Sequence, residues 1–74
     1  MTARKPEGQK SIIEEYEELV RRFGAKRTMR IALVVRDALS GKTPSDVVEY
    51  GLVSMGFPEL ATRKGMRFLV RNAE

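Results

Sequence analysis

Residues 57–74 read FPELATRKGMRFLVRNAE, and two incompatible periodicities fit them. At helical spacing the segment is one more helix with Gly65 as its weak point, because a glycine inside a helix costs about 1 kcal/mol relative to alanine. At a spacing of two, Arg63-Lys64-Gly65 becomes a turn into a strand from Met66 to Arg71. Met66, Phe68 and Val70 then alternate with Arg67, Leu69 and Arg71. The first reading makes the chain wholly helical. The second adds a basic β-hairpin at its end, and short apolar runs fit either period.

The same ambiguity recurs upstream in residues 24–41, GAKRTMRIALVVRDALSG. Ile31, Val34, Val35, Ala38 and Leu39 keep helical spacing, while Met29, Ile31, Leu33 and Val35 alternate with Arg30, Ala32, Val34 and Arg36. Sixteen residues between the two glycines, without a breaker, favour a helix. A usual strand is only about 5–6 residues long.

The flanking elements are plainer. Ser11 and Glu14 make a capping box ahead of a stripe formed by Ile12, Ile13, Tyr16, Leu19, Val20 and Phe23, with Gly24 as the stop. Glu14, Glu15, Glu17 and Glu18 are expected on the opposite, solvated side. Thr43-Pro44-Ser45-Asp46 reads as a second start, with threonine capping and proline in the first turn. Val47, Val48, Gly51, Leu52 and Met55 are its expected buried stripe, Tyr50 lies off it, and Gly56 ends it.

These elements predict a mainly α fold, a compact bundle of three or four short helices. It forms a single small domain over residues 11–74 behind a flexible basic tail, residues 1–10. In the alternative, a hairpin after three helices resembles the wing of winged helix-turn-helix proteins. A ribbon-helix-helix pattern fails, because only Arg36 to Lys42 would be left for its first helix. Met29-Arg30 and Met66-Arg67 stand 37 residues apart with similar surroundings, which raises the idea of a duplicated helix-plus-segment unit.

Composition narrows the function. Apolar residues at 42% and charged residues at 32% predict folding rather than disorder. With no cysteine and no histidine, thiol nucleophiles, imidazole bases and thiolate metal sites are excluded. The carboxylates form no acid–base pair by pattern, and a divalent-cation site from Asp37, Asp46 and Glu49 has no supporting spacing. The expectation is a non-enzymatic, cytoplasmic protein with no cofactor and no membrane segment.

Charge gives the positive lead. Fourteen Lys and Arg oppose ten Asp and Glu, and Arg outnumbers Lys nine to five. Guanidinium is the better bidentate grip on phosphate. Lys26, Arg27 and Arg30 open the second element, and Arg63, Lys64, Arg67 and Arg71 mark the last. Sharing a face, the seven would contact several phosphates. The leading expectation is therefore a small nucleic-acid-binding regulator or accessory factor, on DNA in preference to RNA. The alternative is an interaction or self-association module whose basic patch meets an acidic partner. A homodimer is also expected, since the core is small and Leu33 falls outside the main stripes.

Overall fold

The computed structural model describes residues 11–73. They form three α-helices: α1 (Ile12–Leu39), α2 (Ser45–Met55) and α3 (Arg63–Ala73), with a short 3-10 turn (Pro58–Ala61) before α3. The tail expected over residues 1–10 lies outside the described residues.

α1 joins the first two sequence elements without a connecting loop. Ser11 caps it as predicted, its hydroxyl accepting from the Glu14 N–H at 3.2 Å while the Glu14 carboxylate accepts from the Ser11 N–H at 2.9 Å. Gly24 then bends the helix, at φ 84° and ψ 163°. Only glycine takes that left-handed conformation without a steric cost. The Thr28 hydroxyl donates to the Gly24 carbonyl at 2.8 Å and fastens the first turn beyond the bend. Gly24 is thus a hinge between two arms, residues 12–23 and 25–39.

The expected Thr43 cap does not form. Pro44 occupies the N-cap position of α2 with no side-chain hydrogen bond, and the Lys42 and Thr43 N–H groups donate instead to the Asp37 carbonyl. Gly56, at φ 99°, closes α2 in the left-handed conformation, as the sequence predicts.

α3 settles the ambiguity of residues 57–74, and no strand occurs among the described residues. The β-hairpin alternative is therefore corrected. Leu69 decides the period: a strand would place it with Arg67 and Arg71, yet it is fully buried beside Gly65 and Met66 while both arginines are exposed. Thr62 supplies the missing start signal, its hydroxyl accepting from the Gly65 N–H at 2.9 Å. Residues 25–39 resolve in the same way. Ala32 is buried and Leu33 is exposed, the reverse of what alternation with an inward Leu33 requires.

The core consists of Leu19, Val35, Leu52, Phe57, Leu60, Met66 and Leu69, with Ala32 and Ala38 filling gaps. α3 lies across both arms of α1. Tyr16 meets Phe68 edge-on at 5.8 Å and its hydroxyl donates to the Asn72 carbonyl at 3.1 Å, while Val70 and Ala73 face Met29, Ala32 and Leu33. Phe57 packs against Phe23 at 6.2 Å, and the Arg22 guanidinium lies over both rings at 5.0 and 5.4 Å.

Several expected environments change, beginning with Ile13 and Val34, placed on apolar stripes by their spacing and yet 56% and 49% exposed. Glu15 is buried, not solvated. Val47, placed on the buried stripe of α2 by its spacing, is 62% exposed at the edge of that stripe, while Leu52 on the same stripe is buried as expected. Met29 is half exposed whereas Met66 is buried, so the two Met-Arg segments share helical form but not environment.

Candidate nucleic-acid interface

α3 builds a basic surface. Burying Gly65, Met66 and Leu69 fixes the helix's rotation, and the opposite side follows from 3.6 residues per turn. Arg63, Lys64, Arg67 and Arg71 fall there within about 100° of arc at about 100° per residue. All four are exposed. With Phe68 they line one open groove of about 450 Å³. From Arg63 to Arg71 the stripe runs about 12 Å, at about 1.5 Å per residue. That matches three to four nucleotide steps of one strand at about 3.4 Å each.

Helix stability alone does not favour this arrangement. α3 has no acidic residue in its first turn, where Arg63 and Lys64 sit. Cations there oppose the positive end of the helix dipole by about 0.3–1 kcal/mol each. The same placement adds two side-chain charges to the end of the helix that already attracts anions. Phe68 forms the wall of the groove, and Tyr16 holds its ring edge-on, so it serves packing before stacking.

The seven candidate cations do not form one group. Lys26, Arg27 and Arg30 are exposed on the C-terminal arm of α1, at positions i, i+1 and i+4, and none of them lines the α3 groove. Arg67 lines that groove and Arg30, its counterpart in the apparent repeat, does not. Arg22 is committed to the Phe23 and Phe57 rings.

Of the four glutamates expected in solvent, Glu15 has a structural task. Glu15 Oε1 accepts from the N–H of Glu59 at 2.8 Å and of Leu60 at 3.2 Å, capping the 3-10 turn that precedes α3. The junction thus aims the basic helix. Among the described residues no three carboxylates converge as a metal site, and no helix is long and apolar enough to cross a membrane. Comparison with known protein families, curated proteins and solved structures finds no match.

Proposed function

We propose that this chain is a small non-enzymatic nucleic-acid-binding protein, a regulator or accessory factor that contacts the phosphates of DNA through α3. One observation supports the reading above the others. Arg63, Lys64, Arg67 and Arg71 stand exposed along a single groove, on a helix that carries no acidic residue. Such contacts set position on the duplex and carry no base sequence.

The test is fluorescence anisotropy with random duplex DNA, and with single-stranded RNA as a second probe, over a series of salt concentrations. Four phosphate contacts give a log–log salt slope of about −3.6 on duplex DNA. Replacing Arg67 and Arg71 together by alanine halves it to about −1.8. No binding at low salt removes the reading and leaves the groove as a surface for an acidic protein.

Lys64→Glu separates binding from stability. Reversing the charge in the first turn relieves the conflict with the helix dipole, so the unfolding midpoint rises by a few degrees, at about 4–8 °C per kcal/mol. Binding to DNA weakens at the same time. A Lys64→Glu protein that binds as tightly as the parent shows that the groove is not the phosphate surface.

A further inference from the structure

α2 buries one apolar face and leaves further apolar side chains exposed on the other. Leu52 is buried, with Val48 and Met55 half-buried beside it, while Val47, Tyr50 and Val53 are exposed at 62%, 75% and 51%. Asp46 and Ser54 are interleaved with these three, yet exposed apolar side chains gathered on one helix face mark an interaction surface. Alongside it, Ile31, Val34, Val47, Val48, Gly51 and Met55 border an open groove of about 280 Å³ between α2 and the C-terminal arm of α1.

Gly51 lies in that groove without an internal reason to be glycine. It is not among the positive-φ residues, and a Cβ built on it meets nothing within 4 Å. Mid-helix it costs about 1 kcal/mol relative to alanine. A glycine that neither the backbone nor the chain's own packing requires suits the close approach of something from outside.

The charges at the two ends identify the occupant. Arg27 and Arg30 lie on the arm one helical turn before Ile31 and Val34, on the same helical face. The short turn over residues 40–44 brings the start of α2 beside the end of α1. Asp37 and Asp46 therefore mark the opposite end beside Lys42, while Arg36 lies on the other side of α1, lining the pocket against Val70 and Ala73. An apolar face that is basic at one end and acidic at the other is complementary to itself when turned through a twofold axis. Isologous twofold pairing is also the commonest closed assembly.

We propose that this α1–α2 face is a homodimer interface. Two copies pack antiparallel, the Val47–Tyr50 ridge of one entering the Gly51 groove of the other, with Arg27 and Arg30 meeting the acidic end of the partner. The assignment gives a role to cations that the α3 groove leaves out. It stands apart from the proposed function, because no α3 cation lines this groove.

Sedimentation equilibrium of the full chain, without nucleic acid, over a roughly thousandfold concentration range is the test. The expected mass rises with concentration from 8.4 kDa towards twice that value. Gly51→Ala leaves the monomer folded and more stable, yet weakens association by about tenfold or more. Val47→Glu, at a site exposed in the monomer, abolishes association while retaining the helical circular dichroism. Arg30→Glu loosens the dimer, and adding Asp46→Lys to the same chain restores it. A constant mass of 8.4 kDa throughout overturns the proposal, as does association that ignores the Gly51 and Val47 changes. Failure of the Asp46→Lys rescue overturns the antiparallel pairing. None of these results depends on DNA binding.

Discussion

Gly65→Ala is expected to destabilise the chain by about 3 kcal/mol, against a total stability of about 4–11 kcal/mol for a domain of this size. The backbone of Gly65 is not left-handed, so alanine is conformationally acceptable there and even favoured by about 1 kcal/mol of helix propensity. Contact decides against it. A Cβ at this position runs into the Glu59 carbonyl oxygen and comes within 2.6 Å of the Leu60 Cα. Both are backbone atoms, so no rotamer change relieves the overlap. The Glu59 carbonyl also accepts from the Thr62 hydroxyl at 2.9 Å, and that hydroxyl in turn caps Gly65, so displacing it undoes the start of α3. The thermal midpoint should fall by about 10 °C or more. Gly51→Ala serves as the control, because the same substitution on another helix meets nothing and should raise the midpoint of the dilute monomer. Equal effects at the two glycines would show that helix propensity, and not the approach of α3 to the 3-10 turn, governs both.

The contrast between these glycines marks what the sequence makes legible. Helical content is written locally: the Ser11–Glu14 box, Gly56 as a stop, and the helical spacing of Val35 and Ala38 each depend on near neighbours, whereas the burial of Ala32 in place of Val34 does not. Residues 66–71 stayed ambiguous because their apolar residues satisfy two periods at once, and burial of Leu69 is a tertiary fact. Thr62 is the local signal for a helix start, a capping residue three positions before Gly65. Gly65 itself looked like a weak point in a helix and is a point of close approach, which no pattern along the chain can distinguish. The candidate site divides in the same way. That Arg63, Lys64, Arg67 and Arg71 share a face follows from helical spacing once α3 is known. That Lys26, Arg27 and Arg30 lie elsewhere depends on how α3 crosses α1. Val47 and Tyr50 show the limit from the other direction. Spacing put one inside and one outside, and the fold leaves both exposed.

Glu15→Ala should be the second severe substitution, costing about 3 kcal/mol. Its neighbours Glu14 and Glu17 are exposed, so nothing local sets Glu15 apart, yet it is only 2% accessible. Its carboxylate holds the N–H groups of Glu59 and Leu60, 44 and 45 residues away, and Leu60 is fully buried. Removing the acceptor strands the Glu59 N–H, at about 1–3 kcal/mol, and leaves the Leu60 N–H with only its 3.2 Å bond to the Phe57 carbonyl, beside the gap that the side chain vacates. Glu15→Gln keeps an oxygen that can accept both bonds but loses the charge, so its loss should be about half as large. Urea denaturation of the two variants checks the order, and a glutamine variant as damaged as the alanine would show that the negative charge itself is indispensable. Glu15 and Gly65 act on the same two residues, Glu59 and Leu60, from opposite sides. Their effects should therefore not add. Once Gly65→Ala has pushed the 3-10 turn away, little of the Glu15 cap is left to lose, and the double variant should be more stable than the sum of the single losses predicts, by about 1 kcal/mol or more. Strict additivity would mean that the cap and the glycine contact are separate devices. Coupling would mean that one junction both anchors the N-terminal arm and aims the basic face of α3.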